Sequence, residues 1–151
     1  MSLAISLHIL AVVVWVGGMF FSHMVLRPAA VERLEPPVRL SLWATCFRRF
    51  FVWVWLAVVL LPLSGYWMIY EVLGGMANVR LPVHLMLGIA WVMIALFVYL
   101  YFVPYRRFRE AVAAGDWSRG GQVLNVIRRI MVTNLVLGLL TTVIGMGGRY
   151  F

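Results

Sequence analysis

Two histidines occupy equivalent places in two similar stretches of the sequence. His8 is followed after six residues by Trp15, and His84 is followed after six residues by Trp91. An ionisable side chain inside an apolar helix is costly and usually faces the interior of a bundle. Two imidazoles that meet there could hold one metal between them, either the iron of a haem or a copper ion.

The likeness between the two stretches continues along the chain. Pro28 lies thirteen residues beyond Trp15, and Pro104 lies thirteen beyond Trp91. A pair of arginines is later followed, at the same spacing in both halves, by a glycine and then a tyrosine: Gly65 and Tyr70, Gly145 and Tyr150. We interpret the chain as a tandem duplication within one integral membrane domain over residues 1–151, with repeats of about 1–75 and 76–151.

The composition indicates a membrane protein. Of the 151 residues, 64% are hydrophobic and only 12% are charged, and the mean hydropathy is +0.97. A soluble domain of this size is far less apolar. The net charge of +8 comes from arginines placed between apolar runs, which is typical of membrane topology and does not indicate nucleic-acid binding.

Four apolar segments are long enough to cross a bilayer, which takes roughly 20 residues. They lie near residues 3–27, 46–72, 80–104 and 126–149. We therefore predict an all-α membrane protein, a four-transmembrane-helix bundle built from two tandem helical hairpins. Pro28 and Pro104 are expected to end or kink the first and third helices.

The arginines also predict an orientation. The connection over residues 27–49 holds five of them and the connection over 105–129 holds six, whereas Arg80 and Arg149 belong to the other side. The positive-inside rule then puts both termini outside. The inner connections are expected to be partly helical, with Gly115 ending one such helix and Gly74-Gly75 forming a tight outer turn.

The residues at the depth of the two histidines favour a flat ligand. Gly65 and Gly145 would leave a slot for a haem, and Trp15 and Trp91 could form its apolar floor. Arginines and tyrosines at the outer mouth would pair with haem propionates; they are Arg80, Arg149, Tyr70 and Tyr150. Each feature also has a purely structural explanation, because glycines and tryptophans pack helices together, arginines anchor interfaces, and a lone histidine can bond a neighbouring helix.

Methionine supplies the argument for copper, since thioethers favour Cu(I). Met86 forms His-x-Met with His84, although these side chains point about 200° apart on a helix. Met68, Met76 and Met146 also fall in the outer half. We interpret His23, whose repeat counterpart is Tyr99, as an interface residue, and Glu71 as the carboxylate nearest the site.

The run from Leu7-His8 to Trp15-Val16-Gly17-Gly18 resembles the opening helix of the CopD (copper resistance D) family of bacterial inner-membrane proteins. It is similar, more distantly, to the HemJ type of protoporphyrinogen oxidase, which carries His-x-Lys on its third helix. Here that place reads His84-Leu85-Met86, and the chain contains no Lys. The CopD resemblance implies copper handling, and the HemJ resemblance implies haem b and porphyrin chemistry.

These observations lead to three hypotheses for a multi-pass protein of the bacterial inner membrane. The first is a haem b bound between His8 and His84 that serves electron transfer or tetrapyrrole redox chemistry. Its partner would be a quinone, a periplasmic redox partner or a tetrapyrrole. If the protein is an enzyme, it would be a membrane oxidoreductase. The second is copper transport or handling by the same pair. The third is a cofactor-free assembly partner. A homo-oligomer is compatible with each.

Overall fold

The computed structural model describes residues 2–147, with side chains over residues 3–147, and all of the regular secondary structure in this part of the chain is helical. A π-helical turn and a 3-10 turn interrupt the α-helices. In chain order the elements are α1 (Ser2–Phe21), the π-turn (Ser22–Leu26), α2 (Arg27–Arg33), α3 (Pro36–Glu71), the 3-10 turn (Met76–Asn78), α4 (Leu81–Phe102), α5 (Pro104–Ala113) and α6 (Trp117–Gly147).

Four helical runs are long and apolar enough to cross a membrane: Leu3–Arg33, Pro36–Glu71, Leu81–Ala113 and Trp117–Gly147. They confirm the predicted all-α, four-span architecture, and the chain is a multi-pass membrane protein. With 36 residues, α3 is about 54 Å long and extends well beyond a hydrocarbon core of about 30 Å.

Two predicted helix starts were too late. We predicted starts near residues 46 and 126, whereas α3 begins at Pro36 and α6 begins at Trp117. The added turns are amphipathic, because Leu40 and Trp43 are buried while their neighbours are mostly exposed. A hydropathy criterion for membrane spans does not detect such a segment, since only one face of it is apolar.

The two prolines mark changes in helix type. Pro28 lies in the first turn of α2, directly after the π-turn, and Pro104 is the first residue of α5, directly after Val103. Proline fits the first helical turn because its missing N–H has no intrahelical partner there. The first and third helical runs therefore continue past these prolines into α2 and α5.

The helices pair as two hairpins. In the first hairpin α1 packs along α3, and in the second α4 and α5 pack along α6. The hairpins meet where α6 contacts α1 and α3, and where α5 contacts α3. Gly74 (φ 74°) and Gly75 (φ 101°) lie in the connection between the hairpins, which confirms the predicted glycine turn, because these backbone angles favour glycine.

Aromatic rings join the hairpins inside the bundle. The centroid of the Phe51 ring on α3 lies 5.2 Å from that of Phe47, 5.5 Å from that of Phe97 on α4 and 4.9 Å from that of Tyr105 on α5. The Phe51 ring stacks on Phe47 and meets Phe97 and Tyr105 edge-to-face. Both arrangements are favourable beyond the burial that they provide. The centre of the core is thus an aromatic cluster contributed by both hairpins.

At one end of the bundle, which we call the arginine-rich end, the start of α3, all of α5 and the start of α6 form a compact head. On α5, Phe108 and Ala111 are buried, whereas Arg107 and Arg109 are exposed. Gly120 of α6 packs closely against α3, since an added Cβ would lie 2.9 Å from a methyl group of Leu40. Gly115 (φ 68°) ends the turn after α5 as predicted.

Candidate metal-binding site

His8 lies on α1 at the end of the bundle opposite to the arginine-rich end, and its ring points towards α3. Its Nδ1 atom is 2.8 Å from the hydroxyl oxygen of Ser64. The Ser64 hydroxyl in turn donates to the carbonyl oxygen of Leu60 at 2.5 Å, with the carbonyl of Leu61 at 3.2 Å. A hydroxyl has one hydrogen. Because that hydrogen is given to the α3 backbone, Ser64 accepts the hydrogen bond from His8.

This direction assigns the tautomer of His8. A neutral imidazole carries its single proton on the nitrogen that donates, so the proton is on Nδ1 and the lone pair is on Nε2. The arrangement is common in metal sites, where one ring N–H bonds a protein acceptor and the other nitrogen binds the metal. His8 therefore has the tautomer that a ligating histidine needs.

The local sequence of α3 explains this contact. Pro62 lies inside the helix and cannot donate a backbone hydrogen bond, which loosens the preceding turn. Ser64 follows two residues later and is buried, with 7% of its surface exposed. Neither Pro62 nor Ser64 was among the predicted site residues. A proline and a serine inside an apolar span, directly before Gly65, were the signal that could have identified them.

Gly65 lies beside the same ring. A Cβ atom added to Gly65 would be 3.6 Å from Cε1 of His8, an ordinary van der Waals contact. Gly145, its predicted counterpart, has a different neighbour, because an added Cβ there would lie 3.0 Å from the sulfur of Met86. The thioether of α4 thus packs against α6 at the place where the sequence predicted a slot.

His84 is exposed on α4. Its Nδ1 atom is 3.4 Å from the carbonyl oxygen of Arg80, one turn earlier on the same chain segment. Met86 points towards α6, so His84, about 200° away around the helix, points to the other side. Among residues 3–147, no hydrogen bond links His84 to His8, and the pairing of the two rings stays a prediction.

The two predicted tryptophans have different surroundings. Trp15 is 3% exposed and packs edge-on against Phe97, with 6.1 Å between the ring centroids. Trp91 is 48% exposed, and its Nε1 donates a hydrogen bond to the hydroxyl of Tyr66 at 3.3 Å. Trp15 is a core residue between the hairpins, and Trp91 lies on the outside of the bundle.

The residues predicted at the outer mouth are surface residues where they are described. Tyr70 is 60% exposed, Glu71 is exposed at the end of α3, and Arg80 directly precedes α4 and is exposed as well. Arg149 and Tyr150 lie outside the described residues. The pairing of Tyr70 and Arg80 with haem propionates stays a prediction.

Within the part of the chain that the structure describes, no group of three His, Cys, Asp or Glu side chains could hold a metal ion. Met68 lies one helical turn beyond Ser64 on α3, on the face that meets α1, and it is half-buried. Its thioether is the soft ligand nearest to this position along α3.

The fold and the site define a class of protein: a four-span helical membrane protein with a histidine held inside the bundle. The family model for copper resistance protein D, CopD, matches residues 44–147, which is more than half of the chain. The chain belongs to the CopD family. No curated protein and no solved structure matched the sequence. The matched region runs from α3 to α6, so it contains Ser64, Gly65 and His84, whereas His8 precedes it.

Proposed function

We propose that this CopD-family protein handles copper, which it binds as Cu(I) through Nε2 of His8 inside the first hairpin. Membership of a family described as copper resistance proteins supports the cargo. The observation that carries the choice of ligand is the hydrogen bond from His8 to Ser64, because it leaves Nε2 with a lone pair. With the predicted orientation, the ion would enter from the periplasmic side.

The rest of the coordination is expected to come from sulfur. Cu(I) favours soft ligands such as thioethers and imidazoles, and Met68 follows Ser64 on the helix face that holds His8 in place. A small number of such ligands suits a carrier, because a transported ion must be released as well as bound. In this proposal His8 is the fixed ligand and the Met68 thioether is the mobile one.

A copper titration tests the proposal. The purified full-length protein in detergent is titrated with Cu(I) in the presence of a chromogenic chelator that competes for the ion. Substitution His8→Ala should weaken binding at least about tenfold, and Met68→Leu should weaken it less. His23→Ala removes a histidine far from this site and serves as the matched control, with affinity unchanged. Equal Cu(I) affinity for wild type and His8→Ala would refute the proposal.

A haem b site with His8 and His84 as axial ligands is the second candidate. It is favoured by the open outer face of α4, where His84 is exposed and Gly88 has no atom within 4 Å of an added Cβ. It is disfavoured by Met86, which fills the space at Gly145. The residues therefore fit a single histidine ligand better than a bis-histidine haem, and an absorption spectrum separates the two candidates.

A further inference from the structure

A groove of about 420 Å³ at the arginine-rich end is lined by residues from both hairpins. His23 of the π-turn and Arg27 of α2 contribute from the first hairpin, and Arg128 of α6 contributes from the second. The same three residues also line a small cavity beside the groove, which Trp43 of α3 lines as well. An insertion of π-helix into an α-helix is frequent at functional sites, and here it brings His23 to the rim of the groove.

The position along the helix places this groove at the boundary of the bilayer. His23 follows Leu3 by twenty residues, which is about 30 Å along a helix and equals the thickness of the hydrocarbon core. If Leu3 lies at one boundary, His23 lies at the other. The phosphates of membrane lipids are found at this level.

The positive charge in the groove is not neutralised by the protein. Arg27 and Arg39 are close enough to Arg128 for their charges to repel its guanidinium group. No carboxylate lines the cavity within the described residues. The ion pairs of this part of the chain are two exposed ones, Arg33 with Glu32 and Arg106 with Glu110. Clustered cations without a counter-charge favour an anionic ligand.

Two buried donors in the cavity have no acceptor. Nε1 of Trp43, a residue that is 3% exposed, and Nε of Arg128 make no hydrogen bond within the described chain. The rest of Arg128 is held in place, because its guanidinium carbon lies 5.8 Å from the centre of the Trp43 ring and its Nη1 donates to Asn125 at 3.3 Å. Buried N–H groups are nearly always paired, so a ligand with acceptor oxygens would complete this site.

We propose that this groove binds a phosphate group, through Arg27, Arg128 and the Trp43 N–H. An ionised phosphate group supplies several acceptor oxygens, and guanidinium groups recognise it in a bidentate manner. Basic pockets between transmembrane helices on the cytoplasmic side are suited to anionic lipid headgroups. The same chemistry would also bind inorganic phosphate, and the two sources can be separated experimentally.

The test follows thermal unfolding of the purified full-length protein in a neutral detergent. Three additions are compared: dioctanoyl phosphatidylglycerol, inorganic phosphate and dioctanoylglycerol, which has the same chains without phosphate. A ligand that binds only the folded state raises Tm in a concentration-dependent way. We expect a rise of at least about 4 °C with the phospholipid and none with dioctanoylglycerol. A rise with inorganic phosphate as well would identify a free anion as a second ligand.

Variants tie the effect to the groove. Arg27→Gln should weaken the apparent affinity about tenfold, whereas Arg107→Gln, an exposed arginine of the same end outside the groove, should leave it unchanged. Arg128→Gln removes a partly buried group and can disturb folding. Trp43→Phe is therefore the second variant, since it keeps the aromatic ring, removes the N–H and should weaken binding several-fold.

Two results would overturn the proposal. One is a Tm that responds to neither phosphate-bearing compound, or responds equally to dioctanoylglycerol. The other is an equal loss in Arg27→Gln and Arg107→Gln, which would mean that the lipid responds to the net charge of the surface and not to this groove. The outcome is independent of copper binding at His8, because the two sites lie at opposite ends of the bundle.

Discussion

Nδ1 of His8 donates a hydrogen bond to the hydroxyl oxygen of Ser64 across the interface between α1 and α3, over a distance of 2.8 Å. Ser64 is thereby the residue that orients His8, although it would not itself touch the ion. An orienting role of Ser64 differs measurably from that of a buried polar residue that only stabilises the fold. Loss of the orientation of the His8 ring should change metal affinity more than the free energy of unfolding.

The first prediction concerns Ser64→Ala. Loss of the acceptor frees the His8 ring to rotate and to change tautomer, so Cu(I) affinity should fall about 10–100-fold, as for other groups that orient a metal ligand. Competition titration with a chelator measures this. Thr142→Ala is the control, since within residues 3–147 the Thr142 hydroxyl bonds the carbonyl of Gly138 in its own helix, at 2.9 Å. Equal losses in both variants would rule out an orienting role.

The second prediction concerns His84. If copper is bound by His8 with sulfur ligands, His84→Ala should leave Cu(I) affinity within about twofold, because the hydrogen bonds of the described residues join His8 to Ser64 and the exposed His84 to the carbonyl of Arg80. If a haem joins both histidines, the purified protein should show a Soret band that both His8→Ala and His84→Ala abolish. A colourless wild-type protein with stoichiometric Cu(I) binding contradicts the haem candidate.

The third prediction tests the packing of the two hairpins at Gly138 on α6. A Cβ there would lie 2.7 Å from a methyl of Val16 on α1 and 3.2 Å from the terminal methyl of Met93 on α4. Gly138→Ala should therefore destabilise the fold by about 1–3 kcal/mol through overpacking. The higher helix propensity of alanine offsets part of this loss. Thermal unfolding in detergent measures the effect.

Gly17→Ala is the control for this experiment, because Gly17 is also inside a span and an added Cβ meets nothing within 4 Å. Its Tm should be unchanged or slightly higher, as expected for a helical glycine replaced by alanine. A Gly138→Ala variant as stable as Gly17→Ala would contradict the close approach of α1 and α6.

The fourth prediction concerns Asn134, which is buried in α6 and donates a hydrogen bond to the carbonyl oxygen of Met93 on α4 at 3.1 Å. Hydrogen bonds between membrane helices contribute about 0.6 kcal/mol on average and at most about 1.7 kcal/mol. Asn134→Ala should lower Tm by a few degrees. Thr133→Ala, whose hydroxyl bonds only its own helix at Arg129, should not. A larger loss in Thr133→Ala would exclude this account.

The architecture was largely predictable from the sequence, and the polar contacts were not. Length and hydropathy alone identify four spans. The equal depth expected for the two histidines does not determine which way each ring points, because that depends on helix rotation. His84 and Met86 are only two residues apart on α4, yet the Met86 side chain packs on α6 and the His84 side chain is exposed. The apolar residues that face lipid and those that face another helix cannot be told apart by their sequence.

The residues that surround His8 and the arginine-rich groove show the same limit. No sequence pattern distinguishes Ser64 or Trp43. Helix packing places Ser64 beside His8 and Trp43 beside Arg128. His23 was interpreted as an interface residue because its repeat counterpart is Tyr99 and not a second histidine. The π-turn over Ser22–Leu26, which no sequence pattern predicted, brings it to the groove.

The head at the arginine-rich end has a consequence for how the bundle assembles. Inside a bilayer, lipid tails compete with side chains for apolar contact, so the two hairpins gain little from the hydrophobic effect when they associate. With the apolar segments in the bilayer as predicted, Phe108 and Ala111 of α5, Leu40 of α3 and Gly120 of α6 lie outside it, where burial does drive association. The hairpins can therefore insert separately and then associate through the apolar core of this head, much as a small soluble domain folds.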